Sequence, residues 1–240
     1  MTTVLAIEIT KKLTMKVVAI SDLHGNLPHL EEVAVIYCIC GDIMPLYIQT
    51  NDRKCRQWLR EEFIPWANAL PCSHVVLIAG NHDFVFQRME TEDIRKIFEG
   101  SKVIYLENDG IQLEGLNIFG TPWCHQFGRW AFMADDDSLA ELYEDIPENV
   151  DILLTHDAPY GTSDILFQRI SWNTGEHIGC VPLRDAIIEK KPRLVLHGHL
   201  HSTNHGKETL VESDVYNVSL LDENYDLVYE PLILDVNERS

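Results

Sequence analysis

The sequence predicts a mixed α/β protein on three observations. Short apolar runs rich in Val, Ile and Leu recur at residues 17–20, 75–79, 152–155 and 194–196, and each has the length of a buried strand. Between them, residues 52–70, 91–100, 137–146 and 181–190 carry apolar side chains at helix-like spacing. Residues 103–119 and 209–234 alternate in the β manner. With 45% hydrophobic and 24% charged residues, the chain has the composition of a globular protein, not of a disordered one.

Taken in order, residues 16–20 read as the first strand and 21–30 as a loop carrying Asp22, His24, Gly25, Asn26 and Pro28. A second apolar run covers 33–40; only about ten residues precede it, too few for a crossover helix, so an irregular connection is expected. Residues 52–70 read as a helix that packs Trp58, Leu59, Phe63, Ile64 and Trp66 on a sheet, with Pro65 marking a kink or an end. Residues 74–79 form the third strand. A short helix follows at 91–100, with Thr91 as candidate N-cap and Gly100 just beyond its end.

The runs 103–105, 111–113 and 116–119 are separated by Asn108-Asp109-Gly110 and Glu114-Gly115, the turn chemistry of a meander. Asp135-Asp136-Asp137 precedes the helix at 137–146, where negative charge complements the helix dipole. After the strand at 151–155, residues 159–179 form a long polar loop with Gly161, Trp172, Asn173, Gly175 and His177, and loops of that length are often binding elements. A helix at 181–190 and a strand at 192–196 follow. There is no internal repeat and no low-complexity linker, so one domain over 1–240 is expected, with residues 1–14 as an N-terminal extension dispensable for the core fold.

The formal charge of −19 argues against a surface for extended nucleic acid, which needs Lys and Arg in place of counterions. A small anion is compatible with it if bound cations reverse the local field. Six cysteines at 38, 40, 55, 72, 124 and 180 form no C-x-x-C pair and no disulfide framework. Cys38 and Cys40 lie two apart in a strand and would pack on one face. Reduced thiols and the lack of a signal-like apolar segment point to the cytoplasm. No stretch has the length to span a bilayer.

The residues that end the strands carry the chemistry. Asp22-x-His24, Gly41-Asp42, Gly80-Asn81-His82-Asp83, His156 and Gly198-His199-x-His201 each follow an apolar run. Five strands that end in Asp, Asn or His suggest a shared metal centre. Residues two apart on extended chain point the same way, so Asp22 with His24 and His199 with His201 would share an ion. Asp42 has two oxygens to bridge two ions, and Asn81 offers a neutral carbonyl oxygen. Each piece alone has a bland reading as turn or surface polarity; the five together, in order, do not.

In order and type these residues resemble the calcineurin-like metallophosphoesterases, whose D-x-H, G-D, G-N-H-[DE], H and G-H-x-H pattern is matched from Ser21 to His201. Gly120-Thr121-Pro122-Trp123, residues 151–156 and Gly179-Cys180-Val181 resemble the branch called metallophosphoesterase-domain proteins. The resemblance implies a four-layer αββα arrangement: a β sandwich of two mixed sheets, flanked by helices, with metals at the strand ends. It places Asp22, His24, Asp42 and His201 on one metal and Asp42, Asn81, His156 and His199 on the other. The oxygen and nitrogen set suits Mn²⁺, with Fe or Zn²⁺ as alternatives.

Two such ions lower the pKa of a water and clamp the charge that develops during in-line attack on phosphorus. His82 would protonate the leaving oxygen, Asp83 would orient His82, and Asn26 and His177 are candidates for substrate contact. The expected activity is hydrolysis of small phosphodiesters, such as cyclic nucleotides, or of phosphomonoesters. The alternatives are a nuclease, which would need a basic track that the composition lacks, and a metal-binding scaffold with little catalysis, which would not need His82.

Overall fold

The computed structural model describes residues 14–165 and 175–237. Residues 1–13, Trp172 and Asn173 lie outside the described residues, and with them the proposed extension and part of the long loop. Strands β1 (Thr14–Ile20), β2 (Ile36–Cys40), β3 (His74–Ile78) and β4 (Val103–Tyr105) run parallel in one sheet. The last strand of the chain, which will be β13 (Leu232–Asn237), closes its edge antiparallel to β1. The whole of β2 is buried, as a strand covered on both faces must be.

The second sheet has the order β11-β12-β10-β9-β6-β5, from β5 (Asp109–Leu113), β6 (Leu116–Thr121), β9 (Ile152–Thr155), β10 (Leu194–His197), β11 (Glu208–Leu210) and β12 (Ser213–Asn217). Strands β6, β9, β10 and β12 are parallel, while β5 and β11 are antiparallel edges. Between β6 and β9 the short strands β7 (Cys124–His125) and β8 (Met133–Ala134) pair with each other.

The two sheets meet through Val17, Ala19, Ile36, Cys38, Cys40, Val76, Ile78 and Leu106 on one side and Leu116, Ile118, Ile152, Leu154 and Leu196 on the other. Cys38 and Cys40 thus share the inward face, as their spacing predicts, and all six cysteines are free. The outer face of the first sheet is covered by α1 (Asp52–Trp58), a π turn (Leu59–Phe63), α2 (Ile64–Ala69), α3 (Phe84–Gln87) and α4 (Thr91–Phe98). The outer face of the second carries α5 (Asp136–Glu144) and α6 (Val181–Lys190). This is the four-layer αββα arrangement expected from the sequence.

Local differences have local causes. The run 33–40 enters the sheet only at Ile36, leaving Val33 71% exposed. Pro65 does not end the helical stretch: it falls in the first turn of α2, where a missing N–H removes little, after a widened π turn. Thr91 is the first helical residue of α4, not its cap, and its hydroxyl donates to Glu107 at 3.2 Å. The acidic run caps α5 through Asp135, which accepts from the Ser138 amide at 2.9 Å. Among the described residues no helix is long and apolar enough to cross a membrane.

Candidate metal centre

Because β1, β2 and β3 are parallel, as are β9 and β10, each group sends its C-terminal ends to one edge. Asp22 and His24 follow β1, Asp42 follows β2, Asn81 to Asp83 follow β3, His156 follows β9, and His199 and His201 follow β10. A parallel bridge between Ser21 and Ser219 joins the two sheets there. Four of these residues leave the strand in the left-handed region: Asp22 (φ 56°), His24 (φ 43°), Asp42 (φ 53°) and His199 (φ 70°). Such conformations cost roughly 1–3 kcal/mol each in non-glycine residues and persist where surrounding contacts over-determine them. Here Asp22, His24 and Gly25 donate backbone bonds to Gly41, Asp42 and Ile43 at 3.1, 2.9 and 3.0 Å.

The side chains converge on Asp42. Its Oδ2 lies 3.6 Å from His24 Nε2 and 3.4 Å from His156 Nε2, while its Oδ1 accepts the His82 amide at 2.7 Å. Asp22 sits 3.3 Å from His201 Nε2 and accepts from the Ser219 hydroxyl at 2.6 Å and the His199 amide at 3.0 Å. Asn81 Oδ1 lies 2.9 Å from His156 Nε2, and the His199 ring centre is 5.1 Å from that of His156. Two groups have ligand atoms within 4.8 Å of one another: Asp22 with His24 and His201, and Asp22 with Asp42 and His156.

Several observations fit a cation pair. His156 and His201 donate from Nδ1 to the carbonyls of Cys40 and Asp222 at 2.8 and 2.9 Å, which turns Nε2 of each towards the carboxylates as the atom able to ligate a metal. The glycines keep the space open. A Cβ on Gly80 would stand 2.4 Å from Asp42 Oδ1, one on Gly41 2.7 Å from His156 Nδ1, and one on Gly198 2.3 Å from Asp22 Oδ2. The side chains gathered here, two carboxylates, four imidazoles and one amide oxygen with no thiolate, are oxygen and nitrogen donors of the kind divalent metals take.

Burial opposes ionisation of Asp22 and Asp42, yet His201 for the first and His156 for the second outweigh it and hold both carboxyls well below the usual range. Burial likewise opposes a proton on His156 and His201, but Asp42 and Asp22 respectively raise them to about 10 and about 9. His24 and His199, where burial wins, are pushed down to about 4. The four histidines therefore divide into two that hold a proton at neutral pH and two that do not.

His82 and Asp83 are both brought to this edge, but not to each other. The Asp83 carboxylate accepts the amides of Gly80 at 2.8 Å, Met44 at 3.0 Å and Ile43 at 3.4 Å, so it ties the loop after β3 to the loop after β2. The expectation that Asp83 orients His82 is corrected: His82 Nδ1 meets Gln49 Oε1 at 2.6 Å. Adjacent residues on a turning chain point apart, whereas Gln49 reaches in from another loop. Replacing Asp83 with Asn sets an N–H against an amide donor that is fully buried. A loss of about 1–3 kcal/mol is expected in urea unfolding of the metal-free protein.

A cavity of about 230 Å³ opens over the centre, lined among others by His24, Asp42, Asn81, His82, His199 and His201. Asn26 and His177 are not part of its lining. The Asn26 amide is spent on the Leu23 carbonyl at 2.9 Å. His177 pairs with Asp164 at 2.6 Å and borders a different cavity. Neither residue borders the cavity over the centre in this geometry. The walls are instead aromatic: Trp130 lies 4.4 Å from His82, Phe127 5.1 Å from His199, and Tyr225 4.9 Å from His24, between ring centres. Their only sequence signal was large aromatic side chains in turn-rich segments.

This fold and this cluster of Asp and His at its strand ends define a metallophosphoesterase domain, and residues 15–203 match the family model for the calcineurin-like phosphoesterases, so the chain belongs to that family. The family binds dinuclear metals, and the buried Asp and His clusters stand where such ions would sit. Within it, human metallophosphoesterase domain-containing protein 1 is 26% identical over 91% of this chain and 70% of its own length. UPF0046 protein T07D4.2 of Caenorhabditis elegans is 31% identical over 70% of this chain and 48% of its own. Among solved structures, phosphopantetheinyl hydrolase (PptH) from Mycobacterium tuberculosis shares the fold at 13% identity, with a TM-score of 0.52 over 88% of this chain and 90% of that one.

Proposed function

We propose that the protein is a dinuclear metal-dependent hydrolase of small phosphate esters, phosphodiesters above all. The observation that carries the reading is the gathering of side chains from five strand ends around two buried carboxylates: His24 and His156 beside Asp42, His201 beside Asp22, and Asn81 and His199 beside His156. Asp22, His24, Asp42 and His201 would hold one ion, and Asp42, Asn81, His156 and His199 the other. Mn²⁺, Fe or Zn²⁺ bound there would supply the Lewis acidity that acidifies water and draws charge off a phosphoryl group. His82, which borders the cavity with Nε2 4.0 Å from Asp42, gives a proton to the departing oxygen.

Among the described residues the cavity lining contains no Lys or Arg, and its walls carry Phe127, Trp130 and Tyr225. A lining of this kind favours a compact ester with one negative charge over a polynucleotide, whose backbone is held by Lys and Arg. Hydrolysis of an aryl phosphodiester by the protein loaded with Mn²⁺, Fe²⁺ or Zn²⁺ tests the reading. Folded, metal-loaded protein that cleaves neither diester nor monoester would overturn it.

Metal loading should also release protons. In the metal-free chain His156 and His201, at about 10 and about 9, are protonated at pH 7, and each must lose that proton to become a ligand. His24 and His199, at about 4, already are neutral. Affinity for each ion should therefore rise about tenfold per pH unit from pH 6.5 to 8.5. Titration calorimetry in buffers of different ionisation heat should return about two protons per filled centre.

A further inference from the structure

We infer that Gln49 is the positioning residue of His82, holding its ring by a neutral hydrogen bond so that Nε2 alone faces the reacting group. The catalytic consequence rests on the proposed hydrolase reading; the structural claim does not.

Among the described residues the His82 side chain has one hydrogen-bond partner, Gln49, whose Oε1 lies 2.6 Å from Nδ1. An acceptor oxygen at that distance requires the proton on Nδ1. The other ring nitrogen, Nε2, then points towards Asp42 at 4.0 Å and towards the cavity. Trp130 packs on the ring at 4.4 Å between centres, tilted by 35°, and so limits its rotation. The ring is thus held by one side-chain hydrogen bond, to Gln49, and by ring contacts with Trp130 and, at 4.9 Å between centres, with His24.

Gln49 is itself held. It sits between Ile48, buried in the core, and Asn51, whose side chain caps α1 by accepting the Lys54 amide at 3.1 Å. The Ile48 amide donates to Pro45 at 3.0 Å, the Asn51 amide donates to Ile48 at 2.7 Å, and the Cys55 thiol donates to the Ile48 carbonyl at 3.1 Å. Arg88 braces the same turn by donating to the Thr50 carbonyl at 3.3 Å and to Asp52 at 2.7 Å. A side chain on so constrained a turn loses little further entropy when it binds a ring, which is what precise placement of a proton donor needs.

In the reaction the Nε2–H bond breaks as its proton passes to the departing alkoxide oxygen and the P–O bond to that oxygen breaks, while a water oxygen forms the new P–O bond and that water gives up one proton to solvent. The Nδ1–H bond to Gln49 survives throughout, so the ring ends neutral in the same tautomer and needs no reorientation before it is reprotonated from solvent.

The test uses the full chain, with long-range ¹H–¹⁵N spectra of the imidazole rings and kinetics on two diesters, one with a nitrophenolate and one with an alkoxide leaving group. The wild type should hold neutral His82 as the Nδ1–H tautomer. Gln49→Leu should convert it to a mixture, and Gln49→Glu, which keeps an acceptor oxygen, should restore it. Turnover of the alkyl ester should fall at least about tenfold in Gln49→Leu with KM little changed, and the nitrophenyl ester should lose much less, since it needs little protonation. An Nε2–H tautomer in the wild type, or a tautomer unmoved by Gln49→Leu, overturns the inference whatever the activity. An equal loss on both esters also overturns it, by assigning Gln49 a merely structural role. Wild-type protein inactive on both esters instead fails the hydrolase reading and leaves the tautomer to decide the inference.

Discussion

Asp42→Asn should empty the centre and abolish turnover. The substitution keeps the shape of the side chain and the acceptor for the His82 amide, now 2.7 Å from Oδ1, but removes the charge that faces His24 at 3.6 Å and His156 at 3.4 Å. Removing one partner of a buried charged pair costs about 3–5 kcal/mol, because the other is left uncompensated. Under the proposed assignment Asp42 bridges both ions, so metal affinity should fall for each by roughly 10²-fold or more. Metal content after dialysis, measured by mass spectrometry, should drop from two ions per chain towards none, and hydrolysis should fall with it. Retention of both ions and of activity would show that Asp42 is not the bridge.

His82→Ala should separate binding from chemistry. The His82 ring stands beside the ligand groups without entering them: its closest approach to Asp42 is 4.0 Å, and it belongs to neither close cluster of ligand atoms. Metal content should therefore stay at the wild-type level. Turnover should fall by about 10²–10⁴-fold, the usual range for loss of a positioned proton donor. The loss should be greatest for alkoxide leaving groups. A variant that keeps full activity would return His82 to a packing role against Trp130; one that loses its metals would make it a ligand.

These two outcomes depend on features of unequal legibility. The strands that carry the ligands were readable because parallel strands covered on both faces must be continuous apolar runs, as in β2 and β9. The candidate ligands were readable because Asp, Asn or His ends each run where the chain must turn, directly after a glycine at 41, 80 and 198. The helical layers were readable from spacing. The π turn before Pro65 was not, since it depends on how Trp58, Leu59 and Phe63 pack on the sheet beneath.

The partners of the site were legible only where neighbours in sequence are neighbours in space. Asp83 was assigned to His82 from adjacency, yet a carboxylate next to three loop amides is held by them. Gln49, 33 positions away, has no feature that marks it in a list of residues. Asn26 and His177 were chosen for closeness to a motif and for lying in a long loop, and local hydrogen bonds claim both. Phe127, Trp130 and Tyr225 close over the centre from segments distant from the motifs.

By itself, then, the sequence determined the fold class, the family and which residue types end each strand, because those follow from periodicity and from residue order. The tertiary structure alone decided that loop amides hold the Asp83 carboxylate, that Gln49 and not Asp83 meets the His82 ring, and that aromatic rings wall the cavity. The physical reason is reach: a side chain bonds whatever the fold brings within about 3 Å of it, and that distance is set by the packing of two sheets and not by position along the chain.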